Sequence, residues 1–147
     1  MLVRSLLVIL IWCAVATDVL GRPVVKRDVD DFVKTVAHGL YKGHGTFFHP
    51  ATEGGNIGSC GHKEDDNSAY CALNAIQYGD TGSHSDWCNK KLKIKYGDKT
   101  TSCIIADACP DCKPNSLDMT PKVFSQLADF KEGVIPIEWC IEGAKDC

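Results

Sequence analysis

Two aspartates, Asp107 and Asp118, stand on either side of a short cysteine-pinned stretch, Cys109-Pro110-Asp111-Cys112. Carboxylates held together in this way can do proton chemistry. A second negative charge and a partly apolar wall lift the pKa of one of them, so that it donates a proton or a hydrogen bond near neutral pH. The residues alone leave a plainer reading open, in which Asp118 caps the helix that begins after Thr120 or accepts backbone hydrogen bonds in its loop. Two other chemistries have less support. A Cys-x-x-Cys pair can be a redox site where a strand feeds a helix, but here Pro114 and Asn115 follow. His38, His44, His49, His62 and His84 show no metal-ligand spacing, and the cysteines are expected to be oxidised, so neither a metal nor a cofactor is expected.

Each aspartate follows an apolar residue at the end of an apparent strand. After Asp118, Met119-Thr120-Pro121 reads as a helix start, with Thr120 as cap and Pro121 in the first helical position. Val123, Phe124 and Leu127 fall on one face of that helix, and Gly133 closes the segment. Strands are predicted over 45–49, 69–77, 91–96, 101–106 and 134–141, each rich in β-branched or aromatic residues and bounded by Gly, Asp or Asn. Tyr96-Gly97-Asp98-Lys99 is a hairpin turn between two of them. Residues 28–39 fit a short amphipathic helix, with Asp28 as cap and Gly39 as stop. Many short strands with little helix point to a closed barrel.

The first sixteen residues have the pattern of a secretion signal: Arg4, an apolar run, and Ala14-Val15-Ala16 as a small-x-small cleavage site. The run is too short to span a bilayer, and no membrane association is expected. Lys26-Arg27 offers a second processing point that would remove residues 17–27. Cleavage there takes Lys plus Arg from 16 to 12 and Asp plus Glu from 19 to 18, leaving a net charge of about −6. Such a balance argues against nucleic acid as partner, because phosphate binding needs clustered positive charge. Lys90, Lys91, Lys93 and Lys95 form the one basic cluster. From Lys91 the lysines alternate with Leu92, Ile94 and Tyr96, so they read as the solvent side of a strand, or as a patch for an acidic polysaccharide such as pectin.

Cys13 leaves with the signal, and Cys60, Cys71, Cys88, Cys103, Cys109, Cys112, Cys140 and Cys147 remain. An even count in an exported domain of about 120 residues reads as four disulfides, with 105 formal pairings. Proximity favours Cys109 with Cys112 and Cys140 with Cys147. The protein is expected outside the cell, as a monomer with a single modest core.

Five ordered blocks carry a resemblance: Gly43 to Phe48, Gly58 to Gly61, Asp107 to Cys112, Leu117 to Phe124, and Gly133 to Trp139. Together they resemble the RlpA-like and expansin-like proteins, above all the small secreted fungal, single-domain, loosenin-like type. The resemblance implies a mainly β fold, a disulfide-stapled six-stranded double-psi β-barrel over residues 43–147 with one or two short helices, preceded by an extension over 28–42. It pairs Cys60 with Cys88. It makes Asp118 the essential carboxylate on the floor of an open groove, with Asp107 as second carboxylate and Thr46 contacting the aspartate. Phe47 or Phe48 would supply the stacking surface. Strand alternation lets only one of the two face the groove. Trp87 would lie exposed near the groove and Trp139 in the core. The implied partner is a cell-wall polysaccharide (cellulose, chitin or pectin), loosened without efficient hydrolysis.

In family-45 glycoside hydrolases, which share the barrel, a base carboxylate follows the first aromatic strand. Here Thr46, Phe47, Phe48 and His49 offer no acid. Glu64, Asp65 and Asp66 could reach in from the loop after Gly61, or be solvated loop charges. Barwin-like and papain-inhibiting relatives leave one alternative, a protease inhibitor or protein-binding module, and a weak glycan-cleaving enzyme is a further one.

Overall fold

Six strands close into a barrel in the computed structural model, which describes residues 39–145 and Cys147. They are β1 (Leu40–Phe47), β2 (Tyr70–Asn74), β3 (Lys91–Tyr96), β4 (Lys99–Cys109), β5 (Leu117–Met119) and β6 (Ile135–Ile141). Around the barrel the order is β1-β5-β2-β4-β3-β6. The expected signal, the dibasic processing point and residues 28–38 of the expected helix lie outside the described residues. Among the described residues, two one-turn α-helices, α1 (Ala75–Tyr78) and α2 (Pro121–Phe124), and a 3-10 turn (Phe130–Glu132) complete the mainly β architecture.

Alternation fixes the faces. Leu92 and Ile94 of β3, and Ile135, Ile137 and Trp139 of β6, are buried, while Lys91, Lys93, Lys95 and Pro136 point to solvent. The turn through Gly97 and Asp98 joins β3 to β4 as expected, with Tyr96 opposite Lys99. The expected strand over 69–77 stops early because the Asn74 side chain accepts a hydrogen bond from Gln77 N at 3.1 Å and caps α1. β4 runs longer than expected, pairing antiparallel with β3 in its first half and parallel with β2 in its second. After Asp118, Thr120 and Pro121 do open α2, and Val123, Phe124 and Leu127 are fully buried. The Thr120 hydroxyl does not cap the helix; it donates to the carbonyl of Ser68.

The core is centred on Trp139, Phe124, Leu73, Leu117 and Met119, with the Cys71–Cys103 bridge buried among them. Each large side chain of this kind contributes about 1.5–3 kcal/mol on burial. The remaining bridges are Cys60–Cys88, Cys109–Cys112 and Cys140–Cys147. Trp139 also donates through Nε1 to the carbonyl of Asn115 at 2.7 Å, tying the loop before β5 to the core. That loop packs so closely on β1 that a Cβ on Gly43 would collide with the Asn115 carbonyl and lie 2.9 Å from Ser116 N. The glycine at the head of the first block is thus a close-approach residue.

Candidate functional site

The barrel order brings Thr46, Asp118, Ala72 and Asp107 into one row across four adjacent strands. Thr46 of β1 pairs with Asp118 of β5, Asp118 with Ala72 of β2, and Ala72 with Asp107 of β4. At a strand spacing of about 4.8 Å, the Cα atoms of the two aspartates lie about 10 Å apart. Ala72, buried and small, leaves the floor between them low. A register irregularity between Cys71 and Ala72 sets Ala72 opposite Asp107 rather than Ala106.

Asp118 is half-buried, and its Oδ1 accepts a 2.6 Å hydrogen bond from the Thr46 hydroxyl. Burial pushes its carboxyl above the usual aspartate range. The Thr46 hydrogen bond works against that shift, and the negative charges of Glu53 and Asp107 add to it. Asp118 does not serve as the helix cap; that place is taken by Thr120. Asp107 is held from the other side, its Oδ1 accepting from Ser59 N at 2.7 Å and Ala108 N at 2.8 Å.

Above this row lies an open groove with two lobes, of about 460 and 350 Å³, which share Cys109, Asp111 and Asp118. The first lobe also takes in His44, Thr46, Lys113 and the exposed Val134. The second takes in Phe47, Phe48, Glu53, Ala72 and Asp107. The Cys109–Cys112 bridge walls the groove, with both sulfurs and an Asp118 oxygen within 4.8 Å of one another. Paired sulfurs are not free thiolates, so this trio is not a metal site.

Phe47 and Phe48 both border the second lobe. β1 ends at Phe47, so alternation does not carry through to Phe48. Phe48 is buried, and Phe47 is packed on Phe124 and Phe130 with ring centroids 4.9 Å away in each case. Trp87 stands elsewhere, edge-on to Tyr41 and Trp139, in a pocket with Gln77, Asp80 and His84. The row thus brings together Asp118, Asp107 and Thr46, with Phe47 and Phe48 at its edge, and leaves Trp87 out.

Asp111 of the pinned loop and Glu53 are groove carboxylates not expected as site residues from the sequence, and Glu53 comes from outside the blocks. A turn after β1 brings it back, its backbone N–H bonding to the His49 carbonyl and its Oε2 accepting from His49 N at 2.7 Å. The acidic residues of the loop after Gly61 do not line the groove. Asp66 pairs with His49 at 2.8 Å, Asp65 caps a turn through Ser68, and Glu64 is buried.

No family model matches the chain. Among curated proteins it is similar to allergen Asp f 7 of Aspergillus fumigatus, 33% identical over 90 residues, 61% of this chain and 32% of the relative. It is also similar to the allergen Asp f 7 homolog of Arthroderma benhamiae, 31% identical over 77 residues, 52% of this chain and 27% of the relative. The chain therefore spans about a third of the length of these curated relatives. Among solved structures it is similar to the Streptomyces papain inhibitor, with a TM-score of 0.60 and 23% identity, covering 69% of this chain and 92% of that one. The apo expansin of Clavibacter michiganensis superposes with a TM-score of 0.57 and 25% identity over 69% of this chain and 50% of that one. An aspartate-to-asparagine mutant of that expansin, in complex with cellohexaose, gives 0.58 at 24% identity over the same shares. The six-stranded barrel is the fold these structures share, as the five sequence blocks imply.

Proposed function

We propose that this protein is a secreted, expansin-like module that binds cell-wall polysaccharide in the groove above Asp118 and loosens it without efficient hydrolysis. The observation that carries the reading is the Thr46–Asp118 hydrogen bond at the centre of an open groove. A carboxyl whose pKa is lifted by burial can donate to a glycan oxygen when protonated and accept from a sugar hydroxyl when ionised. An open, two-lobed groove suits a chain that runs through it more than a small molecule that must be enclosed. The expansin structure with cellohexaose supports this class of ligand. The four disulfides suit an oxidising, extracellular setting, in keeping with the signal pattern of the first sixteen residues.

Asp118 is the essential carboxylate in this account and Thr46 orients it. Asp107 sets the second end of the floor, and Phe47 and Phe48 bound one lobe. With a single raised carboxylate at its centre, the groove perturbs glycan contacts instead of turning substrate over rapidly. Two alternatives have their own support. The likeness to the papain inhibitor, which this chain covers almost end to end, favours protease inhibition through the loops. Glu53, bordering the same groove as Asp118, favours weak glycan cleavage with Glu53 as base.

A pull-down of the secreted wild type and Asp118→Asn on insoluble cellulose, chitin and pectin-rich wall, with reducing-sugar release read from the same tubes, separates the three. Wild-type binding to cellulose or chitin that weakens in Asp118→Asn, with no sugar released, is the expected result. Sugar release that is lost in Glu53→Gln favours cleavage. Failure to bind any of the polymers, with inhibition of papain, favours the inhibitor reading.

A further inference from the structure

β3 lies diametrically opposite β5 in the barrel, so its outer face points away from the Asp118 groove. That face carries Lys91, Lys93 and Lys95, all exposed, in a straight row whose Cα atoms span about 13–14 Å. Among the described residues, Lys91 pairs with Glu142 at 3.0 Å, while Lys93 and Lys95 have no ion-pair partner. Ser102 and Thr100 of β4 stand beside Lys93 and Lys95 by register and present hydroxyls on the same outer face. A shallow groove of about 470 Å³ runs along this side, bordered by Lys93, Lys95, Thr100 and Glu138. At the start of the row, the Lys90 ammonium sits 4.6 Å from the centroid of the half-buried Trp87 ring.

We propose that the outer face of β3 is a second binding surface, for a linear uronate polysaccharide, used independently of the Asp118 groove. Cations at every second residue of a strand meet a polymer that carries one carboxylate per sugar, and the interleaved hydroxyls suit the neutral parts of each sugar. A densely charged polyphosphate suits the face less well. Glu138 stands beside Lys95 by register and pairs with Lys42, Glu142 and Asp98 lie at the rim, and the chain as a whole is acidic. Lysine offers point charges without the planar fork that makes arginine the better phosphate ligand. The Lys91–Glu142 pair is exposed, so opening it to admit a carboxylate costs little.

The test is binding to unesterified polygalacturonate at low salt, measured by affinity electrophoresis and calorimetry on the secreted chain. The wild type, Lys93→Gln/Lys95→Gln and Asp118→Asn are compared, with fully methyl-esterified pectin and duplex DNA as additional probes. The wild type should bind polygalacturonate, lose it as salt rises, and bind the esterified polymer weakly. The double variant should lose about tenfold in affinity and show a shallower salt slope, because fewer counterion-releasing contacts remain. Asp118→Asn should bind as the wild type does, which separates this surface from the groove. Matching thermal melts confirm that the solvent-facing substitutions leave the fold intact. Undiminished binding by the double variant, absence of wild-type binding, loss in Asp118→Asn alone, or tighter binding to duplex DNA would each overturn the proposal.

Discussion

The Thr46 hydroxyl and the Asp118 carboxylate, 72 residues apart in the chain, meet at 2.6 Å because β1 and β5 run parallel with these two residues in register. A hydrogen bond to an ionised carboxylate favours the charged form, so Thr46 holds Asp118 below the value that burial alone would impose. Thr46→Val should therefore move the Asp118 titration further up. Carboxyl-carbon NMR on labelled protein reads this directly, and the fold should lose about 1–2 kcal/mol with the bond.

Glu53 acts on the same carboxyl in the opposite sense. Its negative charge helps raise Asp118, and Glu53→Gln should lower the Asp118 midpoint while leaving thermal stability nearly unchanged, because Glu53 is exposed. An unmoved midpoint in this variant would show that Glu53 lies too far into solvent to influence the groove.

Glu64 gives the molecule a pH-dependent stability. Its side chain is buried with neither oxygen hydrogen-bonded among the described residues, and burial together with the Asp107 charge pushes its carboxyl up to about 7 from 4.5. An acid with a raised native pKa binds more protons folded than unfolded, so stability is highest below the unfolded value and falls as pH rises through the native one. Urea unfolding should show a loss of about 3 kcal/mol between roughly pH 4.5 and 7, with a plateau above. Glu64→Gln should remove most of that slope, whatever it does to the absolute level.

Gly43 is spatially constrained. A methyl group there meets the Asn115 carbonyl, which is backbone and already accepts the Trp139 indole hydrogen bond. Gly43→Ala should cost about 1–3 kcal/mol through this overpacking, measured by denaturant unfolding, and should loosen the loop that leads into Asp118.

The two bridges nearest the site and the core should differ in cost when removed. Cys71–Cys103 links residues 32 apart and fills the core, so Cys71→Ala/Cys103→Ala should lose about 3–5 kcal/mol. Cys109–Cys112 closes a loop of only 3 residues, and Cys109→Ser/Cys112→Ser should cost far less stability. Its effect should fall on ligand binding, because this bridge walls the groove beside Asp118.

Much of the fold was legible because β3, and β6 as far as Trp139, alternate and because Thr120-Pro121 marks a helix start. The five ordered blocks then supplied the barrel that local pattern cannot dictate. β5 was harder to see. It is only three residues long, Leu117–Met119, too short for a period to register, and it exists because β1 and β2 bind it from both sides. The early end of β2 turns on the Asn74 side chain, a local competitor for the backbone that a run of apolar residues conceals. In the groove, Asp118, Asp107 and Thr46 follow from the blocks and come together through register. Glu53 escaped because a turn, and not a strand, returns it to the site. The signal that could have found it is the His49-Pro50 pair just past the end of β1, which opens a turn four residues before an acid. Trp87 sits outside the groove because its ring packs against Tyr41 and Trp139, a partnership between distant segments that no spacing encodes.

The most direct measurement is an amide NMR titration of the secreted protein with cellohexaose, repeated with a chitin oligosaccharide of equal length and with Asp118→Asn. The account predicts saturable shifts confined to Thr46, Ala72, Asp107, Asp118 and the Cys109–Cys112 loop for one of the two sugars, weakened in the variant. The absence of shifts with both sugars, or shifts that bypass this row, would contradict a carbohydrate-binding groove built on Asp118.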